Sequence, residues 1–326
     1  MNAQQLPNRR GRMFIAIGSL LFLLSCNSPS FSEFDRASAP IGRWDLEMNG
    51  EKGSYPSWLE IRLSGNSSLV GSFVGQFGSA RPIAKIEPVG NQLRFVIPPQ
   101  WEQRSTDLEF KFTMKDGKLE GTTTDENGKT VTWSGQRAPL LKRSSEPTWG
   151  DPIELFNGKN LDGWKMQLPD VPNGWVVRDG LLYNEKPGNN LVSKATFHDF
   201  KLTAEFRYPA GSNSGIYLRG RYELQIEDNF GDEPECHKIG GVYGFLTPST
   251  NASKPAGEWQ NYEVTLVGRT LTVHFNGQRI IDRQSIPGIT GGAIDSQEGA
   301  PGPILIQGDH GPIEFRKLVV IPAIAK

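Results

Sequence analysis

The chain has 326 residues, with 35 Lys and Arg against 36 Asp and Glu and a formal net charge of −1. This balance, with no basic run and no basic stripe interleaved with aromatics, argues against nucleic acid as a partner. The length suits two domains, each burying its own core, and two cysteines are too few for a disulfide scaffold.

Arg9, Arg10 and Arg12 precede an apolar run from Met13 to Leu24, too short to span a bilayer as a helix but suited to the core of a signal segment. The run ends Leu23-Leu24-Ser25-Cys26, which resembles the lipobox of bacterial lipoproteins. That resemblance implies that residues 1–25 are a signal peptide and that lipid on Cys26 makes the membrane a partner. Asn27 after the cysteine implies the outer membrane or the periplasmic face of the cell envelope. With Cys26 acylated, Cys236 has no intramolecular disulfide partner. Residues 26–40, rich in Ser, Ala and Pro, read as a tether.

Residues 41–139 alternate short apolar and polar runs, with turn words at Asn49-Gly50, Asp116-Gly117 and Asn127-Gly128. This spacing predicts a small antiparallel β-barrel, and the opening Gly42-Arg-Trp-Asp-Leu resembles the first strand of lipocalin-like barrels. Trp58, Trp101 and Trp133 either line a ligand mouth or fill the barrel core. Residues 140–150, within a composition break from Ala138 to Gly150, are expected to be a linker. Residues 151–326 carry further strand-like runs and no amphipathic helix, which predicts an all-β second domain, a jelly-roll sandwich of two sheets.

Within that domain, Ser214 to Asp228 reads as one alternating run. Ile216, Leu218, Tyr222, Leu224 and Ile226 fall on one face; Tyr217, Arg219, Arg221, Glu223, Gln225 and Glu227 fall on the other. The second face is either an exposed surface with cross-strand ion pairs or a site for sugars and oxyanions, which such planar hydrogen-bonding groups suit.

Several stretches of residues 150–322 are wording of a known family: Glu154-Leu-Phe-Asn-Gly-Lys-Asn-Leu-Asp-Gly-Trp164, Asn213 to Gln225, Gly241-Val-Tyr-Gly, Asn251 to Gln260 and Gln307-Gly-Asp-His-Gly-Pro-Ile-Glu-Phe-Arg316. They resemble the 3-keto-disaccharide hydrolase domain, also called domain of unknown function 1080. The resemblance implies a concanavalin A-like, laminin-G-like jelly roll acting on glycosides whose sugar carries a ketone at C3. Glu227 departs from the family's commoner apolar residue before the Asp that matches Asp228.

A retaining glycosidase needs two carboxyls about 5 Å apart and an inverting one roughly 6.5 to 9.5 Å. Glu223 and Glu227 on one strand stand about 13 Å apart, so this strand alone holds no such pair. A 3-keto sugar offers elimination instead, because the ketone acidifies the C2 proton. In that scheme Glu223 is the base, Arg219 or Arg221 steadies the enolate, and His310 carries protons. Gln225, Asp228 and Gln307 orient hydroxyls, and Tyr243 or Trp259 offers a face to the sugar. A divalent metal ion held by Glu223, His237 or His310 is a further option, although no metal-ligand spacing is present. Three readings stay open: an enzyme cleaving 3-keto-glycosides, an ordinary two-carboxylate glycosidase, and a glycan-binding lipoprotein without catalysis.

Overall fold

The computed structural model describes residues 40–324, which leaves the expected signal peptide, most of the tether and Cys26 outside the described residues. Every regular element among them is a β-strand, numbered here in chain order. β1 (Gly42–Gly50) through β8 (Thr130–Arg137) pair each with the next, and β8 returns to β1, closing an eight-stranded barrel with no free edge. Its interior is aromatic: the rings of Phe95 and Phe110 stack at 4.6 Å, and Trp133 lies against Phe110 and Phe112. Asp116-Gly117 forms its hairpin turn with both residues at positive φ, as the wording predicts. At Asn49-Gly50 the strand continues through the pair, and the turn residues are Glu51 and Lys52.

The three tryptophans separate. Trp133 is barrel core. Trp101 meets Phe77 edge-on at the mouth of a barrel cavity. Trp58 points outward and joins the core of the second part of the chain, edge-on to Phe245 at 5.4 Å. Barrel and sandwich thus form one compact unit from Pro40 onward.

The sandwich has two antiparallel sheets. One runs β10 (Trp164–Met166), β13 (Leu191–Phe197), β20 (Gly302–Ile306), β15 (Asn213–Leu218) and β16 (Tyr222–Glu227). The other runs β11 (Trp175–Arg178), β12 (Leu181–Asn184), β21 (Ile313–Pro322), β14 (Phe200–Arg207), β17 (Gln260–Val267), β18 (Thr270–Phe275) and β19 (Gln278–Ser285), with β9 (Ile153–Glu154) beside β21. Alternate residues of both sheets, among them Leu202, Phe206, Tyr262, Leu224 and Ile306, fill the core between them.

The run Ser214 to Asp228 is a hairpin and not one strand. Arg219 and Gly220 both take positive φ, reversing the chain so that Tyr217 pairs with Glu223 and Leu218 with Tyr222. The face assignment survives because the turn holds an odd number of residues, three, which keeps odd-numbered residues on one face across both strands. Ile216, Leu218, Tyr222, Leu224 and Ile226 lie in the core as expected.

Candidate functional site

The face of the five-stranded sheet turned away from the core carries Gly215 and Tyr217 from β15, Glu223, Gln225 and Glu227 from β16, and Gln307 just past β20. A small apolar cluster of Val192, Tyr217 and Leu305, with Ile294 packed on it, covers its flank. Glu223 is 5 % exposed. Its backbone N–H donates to Thr290 Oγ1 at 3.0 Å, and its carbonyl accepts from Tyr243 N–H at 3.0 Å, so both flanks of the residue are fixed. Gly215 stands between Glu223 and Gln307: a Cβ there would meet Glu223 Oε1 at 2.7 Å and Gln307 Oε1 at 3.3 Å, so the missing side chain is what lets these two groups pack against the strand.

Burial pushes the Glu223 carboxyl up from 4.5 to about 8, offset in part by the hydrogen bond from Tyr217 and the nearby imidazole of His310. Tyr217 Oη donates to Glu223 Oε2 at 3.0 Å and also lies 3.0 Å from the carbonyl oxygen of Gly291, so its one proton is shared between two acceptors.

His310 is half-exposed at the rim, and its Nδ1 lies 2.8 Å from Asp309 Oδ1. That contact raises the imidazole above its usual 6.5, and Glu223 adds to the rise. Asp309 acts in turn on Glu223 and Tyr217. Tyr243, half-buried, is brought to the site by a loop that pairs with β16 and lies edge-on to His237 at 5.2 Å. Its phenol is raised by burial and then by Glu223 and Glu227. Gln307 is 8 % exposed, and its Oε1 has no hydrogen-bond partner among the described residues.

Glu223, His310, Tyr243 and Gln307 are therefore brought together. The other expected site residues are committed elsewhere. Arg219 is fully buried at the hairpin turn, where Nη2 donates to Tyr222 Oη at 3.0 Å and to Gly268 O at 2.7 Å. Arg221 donates to Asp295 Oδ1 at 2.6 Å and Ala300 O at 3.0 Å. Neither guanidinium acts on Glu223, so neither is placed to steady an enolate formed there. Gln225 folds back: Nε2 reaches His237 O at 3.3 Å, and Oε1 accepts the N–H of Ile226. Asp228 accepts from Gly211 N–H at 2.8 Å and closes a loop. Trp259 lies between the guanidinium groups of Arg207 and Arg316, 4.7 and 4.4 Å from its ring, beside β14 and β21 of the other sheet.

No group of three or more His, Cys, Asp or Glu side chains among the described residues is gathered tightly enough to hold a metal ion. Of the candidates Glu223, His237 and His310, Glu223 and His310 lie within reach of each other, His310 is held by Asp309, and His237 is exposed with Nδ1 3.5 Å from Cys236 Sγ. Sequence reasoning gave no role to Tyr217, Asp309 or the Thr290-Gly291 segment. Asp309 was readable as the neighbour of His310; the contribution of Thr290 and Gly291 comes from 67 and 74 residues away.

Fold and site together define a two-sheet β-sandwich with a buried, hydrogen-bonded carboxyl on the sheet face turned away from the core. The family model of the 3-keto-alpha-glucoside-1,2-lyase-like domain matches residues 151–321, just over half of the chain, and the chain belongs to that family. A 3-keto-disaccharide hydrolase of Bacteroides thetaiotaomicron is 23% identical over 168 residues, covering 40% of this chain and 57% of that protein. Two crystal structures of glycosyl hydrolase candidates from Parabacteroides distasonis are similar to it. One is 25% identical, covering 56% of this chain and 93% of the other, with a TM-score of 0.47. The second is 22% identical, covering 53% and 94%, with a TM-score of 0.43.

Proposed function

We propose that this chain is a glycoside-cleaving enzyme acting on 3-keto-glycosides, by proton abstraction at C2, elimination and hydration. The observation that carries this reading is Glu223, a buried carboxyl packed against Gly215, with Tyr217 hydrogen-bonded to it and the Asp309–His310 pair within electrostatic reach. In the ionised state Glu223 takes the C2 proton, the C3 ketone accepts the electron pair as an enolate, and the enolate returns the pair to form C1=C2 as the aglycone leaves C1. His310, more readily protonated because of Asp309, gives the departing oxygen its proton. Water then adds at C1 and the proton returns at C2, so hydration completes a net hydrolysis. Tyr243 and His310 are the donors on this side for the enolate oxygen, the task first expected of the two arginines.

A second reading has support of its own. Asp309 is a second carboxylate within electrostatic reach of Glu223, so Glu223 as acid and Asp309 as its partner would make a two-carboxylate glycosidase. Against it, Asp309 Oδ1 is spent on His310. A glycan-binding protein without catalysis gains nothing from a carboxyl whose burial opposes its charge, which favours an enzyme. The test is to offer matched 3-keto and unoxidised glucosides. Aglycone release from the 3-keto form alone supports elimination; equal release from both supports the two-carboxylate enzyme. Export as a lipoprotein anchored through Cys26 belongs to the same proposal, since an envelope enzyme meets glycosides outside the cytoplasm. Cys26→Ser should release the protein from membranes.

A further inference from the structure

The sheet face that carries Glu223 is buried at one end and exposed at the other. Residues of β15 and β16 cross it in opposed pairs: Tyr217 with Glu223, then Gly215 with Gln225, then Asn213 with Glu227. The first pair is walled in. Thr290 Oγ1 holds the Glu223 N–H, Gly291 O meets Tyr217, and Gly292 N–H donates to Gln76 O of the barrel at 2.8 Å. Gly291 presses so close to the barrel that a Cβ on it would stand 2.2 Å from Gly78 O. Burial falls with distance from that wall: Tyr217 is 3 % and Glu223 5 % exposed, Asn213 and Glu227 are only partly buried, and Asp309 and His310 are exposed. A glycoside whose reacting carbons sit at Glu223 therefore has its free path towards Asn213 and Glu227.

That end of the face offers acceptors without donors. Gln307 N–H donates to Gly215 O at 2.9 Å, which sets Gln307 beside the middle pair, and its Oε1 is the unpartnered buried acceptor already described. A buried acceptor left unpaired costs about 1–3 kcal/mol, which an N–H or O–H of a ligand recovers. The Glu227 carboxylate has no hydrogen bond or ion pair among the described residues. The cations at this end are taken: His310 faces Asp309, and Lys238, on the loop paired with β16, lies 3.2 Å from both Asp232 and Glu235. Glu223 and Glu227 both act on the phenol of Tyr243, so the two carboxylates belong to one site. They stand about 13 Å apart along the strand, a span for a substrate of two rings.

We propose that Glu227 binds the leaving group and selects one that carries an ammonium, so that the preferred substrate is a 3-keto-glycoside of an amino sugar. The proposal rests on the reading of the Glu223 site as glycoside-cleaving and names its substrate class. A charged donor makes a hydrogen bond to a carboxylate roughly twice as strong as a neutral pair makes, and a hydroxyl in its place would leave the charge of Glu227 unmatched. Gln307 Oε1 takes a hydroxyl of the same substrate.

The test uses the full chain and two 3-keto disaccharides of one linkage, 3-keto-glucosyl-glucosamine and 3-keto-glucosyl-glucose, at pH 7 and low salt. The wild type should favour the glucosamine compound about tenfold in kcat/KM, through KM, and the preference should shrink as salt is raised. Acetylating the amine, which removes its charge, should abolish the preference. Glu227→Gln should bring the ratio close to one, whereas Glu227→Asp, which keeps the charge, should retain part of it. Independently of turnover, unoxidised glucosyl-glucosamine should bind the wild type more tightly than Glu227→Gln by calorimetry. Equal kcat/KM for the amine and its acetylated form, or a preference that Glu227→Gln leaves unaltered, overturns the proposal and leaves the Glu223 reading standing. If neither 3-keto disaccharide is cleaved, the Glu223 reading fails and the leaving-group assignment falls with it.

Discussion

Tyr217 and Glu223 stand directly opposite each other across the β15–β16 hairpin, and Tyr217 Oη lies 3.0 Å from Glu223 Oε2. Register alone creates the contact: opposed residues of a hairpin share a face, so the phenol and the carboxyl meet wherever this pairing forms. The same phenol touches Gly291 O, which ties Glu223 through Tyr217 to a segment bonded to the barrel.

Replacing the carboxyl isosterically separates chemistry from fold. Glu223→Gln keeps an acceptor for Tyr217 and loses the base, so activity should fall by about 10² to 10⁴. Stability should move the other way. The folded carboxyl is raised from 4.5 to about 8, so the folded state binds the extra proton and wild-type stability declines as pH rises between those values. Glu223→Gln removes that decline and should be about 1–3 kcal/mol more stable than wild type at pH 8, with little gain at pH 4.5. Denaturant melts at the two pH values check this.

The pH profile follows from the same group. With Glu223 as base, kcat/KM should climb as pH rises towards about 8, where the free enzyme loses this proton. The Tyr217 hydrogen bond lowers the Glu223 value, so Tyr217→Phe should move that limb to more alkaline pH. A limb that stays in place would show that another group sets it.

Asp309 should behave as a positioning residue. Asp309→Asn removes the main cause of the raised His310 value, so His310 should titrate closer to its usual 6.5, readable by NMR of the imidazole. Activity should drop by up to about 100-fold, the cost typical of a misdirected proton carrier. His310→Ala should lose at least as much.

At the seam of barrel and sandwich, Asp45 of β1 meets Glu298, which also holds Arg269 and accepts from Tyr222 at 2.7 Å. Burial, and then the charge of Glu298, push Asp45 up from 3.8 to about 9. The folded state keeps this proton where the unfolded chain has lost it, so the contribution declines steadily between pH 4 and 9. Asp45→Asn should therefore raise the melting temperature at pH 9 clearly more than at pH 4.

Much of this was legible before the structure. Alternation gave both faces of residues 214–228, the turn words Asp116-Gly117 and Asn127-Gly128 marked two barrel hairpins, and residue type and face singled out Glu223, His310, Tyr243 and Gln307. The hairpin itself was hidden because a three-residue turn preserves the alternation that a single strand would show. Arg219 and Arg221 were placed by face and type, but their partners Gly268, Asp295 and Ala300 lie 49 to 79 residues away, beyond any local pattern. Trp259 failed for a related reason: a motif places a residue in a family without saying which sheet it joins. The cavity beneath Phe77 depends on how a barrel closes, which period-two patterning does not encode.

The central claim is removal of the C2 proton, and the most direct measurement is its fate in heavy water. Cleavage of a 3-keto-glucoside should leave deuterium at C2 of the released 3-keto sugar, beyond slow background exchange, because hydration returns a solvent-derived proton to that carbon. Released sugar with its original hydrogen at C2 would contradict elimination and assign Glu223 and Asp309 to direct hydrolysis at C1.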